Sequence, residues 1–441
     1  MFAERRAVLI FAQDANLKDG GEAARPLQYF LELRARGVDV HLLVHERNRK
    51  ALEAGCPEHT CRVHFVPETW FDRACARVGD FLPERMYTVT TAAWSWIATQ
   101  GRARRIIRRL MREAGIGLVH QPTPISPKAP SRMHGFGIPV VIGPLNGGMD
   151  FPQAFARRQS RIAAAVVGLA RRCAQPLSLI YRGLREARVV LVSNARTREA
   201  LPNGLQGQVR QLTANAVHTQ RWTPRPQPRA DGRVRFLFAG RLVGFKAVDQ
   251  LLEVWSRWKP EVPVELRIVG DGPERAELEA LALRLGVQDT VHFAGWAAGE
   301  ALIEEVRDAD VFVFPSLREA GGAVLMEAMS CGVPVIAADW GGPADYVQPQ
   351  TGLLVDASSP AAFKDGLREA MDQLAHDAGL RARLGAAGRT HALQNLDWSR
   401  RVDVLESIYR ELLRDELATE RTPAPLLSWP DATARKVRED N

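Results

Sequence analysis

The chain has 441 residues, of which 46% are hydrophobic and 25% charged, and it carries a net charge of +8. That length exceeds the roughly 100–200 residues of an ordinary domain, so two lobes are expected, and the balanced composition excludes both a disordered chain and a membrane bundle. The charge is uneven: residues 1–222 hold 33 Lys and Arg against 17 Asp and Glu, whereas 223–441 hold 26 against 34. The first half is therefore expected to meet an anionic partner, such as a phospholipid surface, a diphosphate-linked lipid or nucleic acid, or else to present a solvated arginine-rich surface.

In chain order, the apolar run 7–12 is too short for the core of a signal peptide and reads as a first strand. Gly20-Gly21 follows as a loop, then a helix over 22–36 and a strand over 38–44. Residues 101–115 (GRARRIIRRLMREAG) read as a basic helix, with Arg102, Arg104, Arg105, Arg108, Arg109 and Arg112 set around Ile106, Ile107, Leu110 and Met111. A second basic segment brackets 162–170 with Arg157, Arg158, Arg161, Arg171 and Arg172. Arg-flanked amphipathic helices can lie in a membrane interface and attract anionic lipid, and they can equally be packing helices with a solvated face. Further strands are expected at 118–120, 139–142, 189–193 and 209–212. Cys56, Cys61, Cys75, Cys173 and Cys331 lack a paired Cys-x-x-Cys spacing and read as thiols in a reducing cytoplasm. No stretch reaches the ~18 apolar residues that would span a bilayer.

Residues 223–232 (TPRPQPRADG) contain three prolines and no apolar run, which makes this stretch the linker between lobes. Beyond it, strands at 235–239, 264–269, 291–293, 311–314, 333–337 and 352–355 alternate with helices near 247–258, 274–285, 300–307, 322–330 and 360–375. That alternation predicts a parallel sheet flanked by helices. After Asn395 an amphipathic helix presents Val402, Leu405, Ile408, Tyr409 and Leu412 on one face. Residues 418–441 are polar and read as a flexible tail.

Three segments of the second half carry chemistry. In FLFAGRLVGFKAVDQLLEVW a strand ends at Gly240, and Arg241 and Lys246 follow just before a helix. Two cations at the carboxyl edge of a parallel strand suit a diphosphate. In IVGDGPER, Gly270 opens a tight turn between strand and helix that lets backbone approach a ligand. In PSLREAGGAVLMEAMSCGVPVIA, Glu319 and Glu327 bracket Ala320, Gly321, Gly322 and Val324. Here the glycines offer N–H groups at a helix start, and the carboxylates can accept hydrogen bonds from sugar and ribose hydroxyls.

Together, GRLVGFK, VGDGPER, FAGW and PSLREAGGAVLMEAMSCGVPVIA resemble the donor domain of glycosyltransferase family four, retaining enzymes of the GT-B fold. The likeness is close over 233–400 and looser before it. It implies an α/β fold of two Rossmann-like doubly wound domains facing a cleft, with an acceptor-binding domain over 1–222 and a nucleotide-sugar domain over 223–395. A helix over 396–417 would return to the first domain. By the same resemblance Arg241 and Lys246 hold the donor diphosphate, Glu319 contacts the donor sugar and acts with them in catalysis, and Glu327 contacts the ribose. Gly20-Gly21 would approach the diphosphate from the opposite wall.

The chain departs from the family in two places. TANAVHTQRWTP resembles the family's Asn-Gly-Val-Asp turn but has Ala216 and His218. PVVIGPLNGG has Pro144-Leu145-Asn146 where relatives carry a His, leaving Asn146, and His120 of VHQPTP, as candidate acceptor or sugar contacts, with His120 reading also as a core or strand-end histidine. Asp308-Ala-Asp310 resembles the D-x-D metal motif of the other large glycosyltransferase fold, yet it precedes a strand already matched to the family pattern, so no essential metal and no cofactor are expected. The expected activity is retaining transfer of a hexosyl group from a nucleotide-sugar to a saccharide acceptor, lipid-linked or at the membrane surface. That activity belongs to cell-surface polysaccharide synthesis, in the cytoplasm or on the inner face of the cytoplasmic membrane. The rivals are another GT-B nucleotide-sugar enzyme, such as an epimerase, and a nucleic-acid-binding protein, for which no RNP, zinc-finger or basic-zipper signature is present.

Overall fold

The computed structural model describes residues 7–16, 21–79, 91–148, 151–158, 182–227, 229 and 231–415. Short aliphatic runs separated by amphipathic helices produce strands that must be buried on both faces, which a parallel sheet covered by helices achieves. Among the described residues there are two such sheets. The first contains β1 (Ala7–Phe11), β2 (Val40–His45), β3 (Val63–Val66), β4 (Ile116–Gln121), β5 (Val140–Leu145), β6 (Val189–Val192) and β7 (Gln208–Gln211), all parallel, in the order β3-β2-β1-β4-β5-β6-β7. The second contains β8 (Val234–Ala239), β9 (Val264–Val269), β10 (Val291–Gly295), β11 (Val311–Phe314), β12 (Val335–Ala338) and β13 (Gly352–Val355), also parallel, in the order β10-β9-β8-β11-β12-β13. Both orders reverse direction once, between β1 and β4 and between β8 and β11. A crevice for ligands opens at the carboxyl ends of strands at such a reversal.

The helices of the first lobe are α1 (Gly21–Ala35), α2 (Arg49–Gly55), α3 (Trp70–Gly79), α4 (Thr91–Glu113), α5 (Gly183–Glu186) and α6 (Ala195–Glu199). Those of the second are α7 (Val248–Arg257), α8 (Arg275–Arg284), α9 (Glu300–Arg307), α10 (Ala323–Ser330), α11 (Gly342–Tyr346), α12 (Pro360–His376) and α13 (Ala378–His391), and α14 (Trp398–Asp415) closes the described chain. The expected elements appear within a few residues of their read positions. Additions are β3, α2, α3, α5, α6, α11 and α13, and the basic helix begins ten residues earlier, at Thr91.

Helix α14 packs on the first lobe. Its apolar stripe, Trp398, Val402, Leu405, Ile408, Tyr409 and Leu412, is buried with Val8, Ile10, Tyr29, Phe30 and Leu118 of that lobe's core, and each fully buried side chain of this size stabilises by about 1.5–3 kcal/mol. The segment leaving the first lobe after Val217 and the segment that returns to it before Trp398 lie side by side. The Val217 N–H donates to the Leu396 carbonyl at 2.9 Å, the Trp398 N–H to the Val217 carbonyl at 3.1 Å, and the Thr219 hydroxyl to Asp397 at 2.6 Å. One stretch of the first half packs elsewhere: Phe151 and Phe155 join the core of the second lobe, with Phe155 edge-on to Phe363 at 5.7 Å.

The loops leaving β5 and β6 meet those leaving β11 and β12. Asn146 Nδ2 donates to the Ala320 carbonyl at 2.7 Å, and Asn194 Nδ2 and Arg196 Nη2 both donate to Asp345 Oδ2, at 2.8 and 2.9 Å. The carboxyl edges of the two sheets thus face one another across a cleft, the GT-B arrangement.

Candidate active site

The turns after β8, β9 and β11 converge on the reversal point of the second sheet. After β9, Gly270 supports the β8 turn rather than facing open space. A Cβ there would lie 1.9 Å from the Gly240 carbonyl oxygen, so only glycine lets the two turns touch. The Leu242 N–H donates to the Asp271 carbonyl at 2.8 Å, tying the turns together. Arg241 is exposed at this edge. Lys246 ends a short turn (Gly244–Lys246), and its Nζ lies 4.4 Å from the centre of the Phe314 ring, at the end of β11.

The Lys246 ammonium donates to Glu319 Oε2. Glu319 Oε1 accepts the N–H groups of Gly321 at 3.2 Å and Gly322 at 2.9 Å. Burial alone would raise the carboxyl pKa, but Lys246 and these two N–H groups outweigh it and hold Glu319 below the usual range, hence ionised. Gly322 adopts φ +62° as it enters α10, and the Tyr346 hydroxyl donates to its carbonyl at 2.9 Å. The glycine N–H groups expected to face a diphosphate are therefore turned onto the acid that precedes them.

Two turns into α10, Glu327 is half-buried beside the partly buried Val324. Burial pushes its pKa up to about 7, opposed by the positive charge of Arg221. Its carboxylate accepts no hydrogen bond from the described residues, so it is free to accept from a ligand's hydroxyls.

On the facing wall, Gly21 starts α1 with φ +50° and nothing near its Cβ position, while Gly20 lies outside the described residues. The Glu22 carboxylate of the same turn accepts the Ile125 N–H at 2.9 Å. Asn146 spends its amide on Ala320, joining the lobes. His120 sits differently from the expectation of an acceptor contact. It is 0% exposed, its Nε2 is 2.5 Å from the Gly143 carbonyl oxygen and its Nδ1 2.6 Å from the Tyr409 hydroxyl. Those partners fit a neutral ring that donates from Nε2 and accepts at Nδ1, and burial pushes its pKa down to about 4. It fastens α14 to β4 and presents no atom to the cleft.

Asp308 and Asp310 stand at the amino end of β11, away from the crevice. Asp310 pairs with Arg225 at 2.7 Å and accepts the Arg235 N–H at 2.9 Å, and Asp308 pairs with Arg235. Among the described residues no group of acids, histidines or cysteines could hold a metal ion. In α4, Arg102 turns inward to Asp72 at 2.7 Å and Arg104 caps the carbonyls of Arg132 and His134, while Arg105, Arg108, Arg109 and Arg112 are exposed along one face. The second basic segment lies outside the described residues, save the backbone of Arg157 and Arg158. No described helix is long and apolar enough to cross a membrane.

One cleft residue without an assigned role in the sequence is Asn215. Its Oδ1 accepts from Arg25 Nη2 at 3.0 Å, and its amide nitrogen would stand 1.8 Å from a Cβ on Gly321. The TANAV turn pointed to this place; the contact with the donor-side loop comes only from the fold.

Residues 220–391 match the family model described as Glycosyl transferases group 1. D-inositol 3-phosphate glycosyltransferases from Streptomyces bingchenggensis and Salinispora arenicola are 38% identical over 191 residues and 37% identical over 185, each match covering 40% of this chain and 40% of the relative. The chain thus matches about two fifths of the length of these curated relatives. Over nearly the whole chain it is similar in fold to sucrose-phosphate synthase from Thermosynechococcus elongatus (TM-score 0.62, 20% identity, 93% of this chain and 100% of that one). It is also similar to HepE of Anabaena in complex with UDP and glucose (TM-score 0.56, 17% identity, 92% and 99%).

Proposed function

We propose that the chain, whose residues 220–391 match group 1 glycosyl transferases, is a retaining hexosyltransferase using a nucleotide-sugar. The observation that carries this reading is the Lys246–Glu319 pair set at the reversal point of the second sheet, with the Gly321 and Gly322 N–H groups on the same carboxylate. A donor would part that pair. Its diphosphate takes Lys246 and Arg241, and its sugar hydroxyls donate to Glu319, which is held ionised and so acts as an acceptor of hydrogen bonds rather than as an acid. As the glycosidic bond breaks, the nucleoside diphosphate leaves with the electron pair. Once the donor has parted the pair, the cations and N–H dipoles already face the departing group and stabilise its growing charge, so no metal or cofactor is required. Glu327, two turns into α10, accepts the ribose hydroxyls.

For the acceptor, the sequence match to the D-inositol 3-phosphate enzymes lies in the donor half, so it supports the donor reading and says little of the acceptor lobe. We infer a saccharide acceptor, lipid-linked or at a membrane surface, in cell-surface polysaccharide synthesis, with the protein in the cytoplasm or on the inner face of the cytoplasmic membrane. The exposed Arg105, Arg108, Arg109 and Arg112 of the acceptor lobe support it. The deciding experiment incubates the full chain with a panel of UDP- and GDP-sugars, with and without membrane extracts. Release of nucleoside diphosphate that rises with extract supports transfer, conversion of the donor without any acceptor indicates an epimerase, and binding of none of the panel overturns the reading.

A further inference from the structure

Two guanidinium groups lie buried beside the cleft, and among the described residues neither has an acid within ion-pair distance, Glu22 acting on Arg25 only from farther off. Arg25 of α1 is 3% exposed and Arg401 of α14 is 8% exposed. The acceptors available to them are neutral: Arg25 Nη2 donates to Asn215 Oδ1 at 3.0 Å, and Arg401 Nη2 to the carbonyls of Asn215 at 3.4 Å and Asn395 at 3.3 Å. Arg25 Nη1, Arg401 Nε and the hydroxyl of Tyr29, itself 0% exposed, have no hydrogen-bond partner among the described residues. Tyr29 stands one turn beyond Arg25 on α1, and its ring meets Trp398, three residues before Arg401, edge-on at 5.4 Å. Two buried cations and a buried hydroxyl therefore point unmatched groups into one region.

An isolated buried charge is among the costliest features a fold can carry, and carbonyl dipoles at 3.3–3.4 Å do not offset it. A built cluster of this kind is explained by an anion that completes it. Guanidinium forks and a hydroxyl match the oxygens of a phosphoryl group, which accepts several charge-assisted hydrogen bonds at once. Asn215 separates the cluster from the donor-side loop, its amide lying against Gly321. It belongs to the outgoing interlobe crossing, and Arg401 follows directly on the returning one, where Val217 and Asp397 are bridged.

We propose that Arg25, Tyr29 and Arg401 form a phosphate-binding site on the first-lobe wall of the cleft, entered when the lobes part and Asn215 withdraws from Gly321. The argument for the anion stands without the glycosyl-transfer reading, and only the source of the phosphoryl group, donor diphosphate or acceptor phosphate, rests on it.

The test is thermal unfolding of the full chain with inorganic phosphate, against chloride at matched ionic strength, for the wild type and for R25M, R401M, Y29F and K246M. Phosphate raises the midpoint of the wild type and of K246M. In R25M and R401M the rise disappears, while their midpoints without phosphate equal or exceed the wild type because an unpaired charge is gone, a gain that a purely structural arginine would not show. Should either arginine variant fail to fold, Y29F decides, with phosphate affinity weakened about threefold or more by loss of one hydrogen bond. A rise that persists in all three variants, or that vanishes only in K246M, overturns the proposal. UDP binding then separates the sources: R401M weakens it about tenfold or more if the donor diphosphate fills the site, and leaves it unchanged if the phosphoryl group is the acceptor's.

Discussion

The Lys246 ammonium donates to one oxygen of Glu319 while two successive backbone N–H groups, of Gly321 and Gly322, hold the other. The side chains are only 13% and 16% exposed, so each is the other's principal counter-charge. Removing one partner leaves a largely buried charge unmatched, at a cost of about 3–5 kcal/mol, whereas replacing both restores much of that loss. K246M should therefore unfold at lower urea than the K246M/E319Q double variant. Turnover should instead fall in both, by about 10²–10³-fold for a lost cation at the departing diphosphate. If K246M turns over like the wild type, Lys246 is not at the reacting centre.

The raised pKa of Glu327, about 7, gives donor binding a pH dependence of definite sign. Hydroxyl donors on a ribose favour the carboxylate form, so binding releases a proton from a group that is half protonated near neutrality. Affinity for UDP or GDP should strengthen by up to about tenfold per pH unit as pH rises towards 7 and level off above it, and E327Q should abolish that slope. Stability runs the opposite way. The folded pKa lies above the unfolded one, so the folded state binds the extra proton and loses stability as pH climbs from the unfolded pKa through about 7. E327Q should accordingly melt higher than the wild type at pH 8 and no higher at pH 5. A calorimetric titration across this range, with melting curves beside it, checks both.

What could be read in the chain follows from the physics of each element. Strands such as β6 and β11 stand where the uninterrupted apolar runs put them, because a strand buried on both faces needs such a run. β3, only Val63–Val66 with a histidine inside it, pairs with β2 through tertiary contact that no local pattern announces. The motif placed Lys246 and Glu319 in one site from a resemblance, but their pairing over 73 residues is a product of two turns meeting at a sheet reversal. His120 read either as a sugar contact or as a core or strand-end histidine, and the returning helix, which brings Tyr409 to it, decides for the enclosed ring. Asn215 and Arg25 were illegible for the same reason: their partners belong to other elements.

At Gly321 the donor-side loop packs against Asn215 of the first lobe. A methyl group there would meet the Asn215 amide at 1.8 Å, a distance that forces one wall to move. G321A should displace the loop carrying Glu319 and lower kcat/KM by about 10²-fold, the scale expected when a catalytic group shifts by an ångström. Shortening the obstacle should undo part of the damage, so the N215A/G321A double variant should recover activity relative to G321A. Equal activity of the single and double variants would show that the two residues do not touch in the working enzyme.

Charge at the departing diphosphate is assigned to Arg241, Lys246 and helix-start N–H groups, with Asp308 and Asp310 tied to arginines at the far end of β11. Chelation should accordingly leave turnover unchanged once the protein is freed of bound cations. Loss of activity in EDTA, restored by a divalent ion, would move the charge stabilisation to a metal and demand ligands other than these two aspartates.

Helix α4 presents Arg105, Arg108, Arg109 and Arg112 to solvent at spacings of three and four residues, so they form one stripe along the helix. Trp94, 58% exposed, lies eleven residues before Arg105, close to three turns and therefore on the same face, and Trp70 of the adjoining α3 is 74% exposed. Indoles with a row of guanidiniums behind them suit the headgroup region of an anionic bilayer, where each basic residue contributes about 1 kcal/mol at low salt. Arg109 contributes less, since it already faces Glu113 at 3.4 Å. Vesicles containing phosphatidylglycerol should bind the wild type and release it as salt rises. R105Q/R108Q/R112Q should lose most of that binding, and W94A should weaken it without changing its salt dependence. Equal binding to neutral vesicles, or none to anionic ones, would leave this stripe as a solvated surface and remove the membrane from the reading of the acceptor lobe.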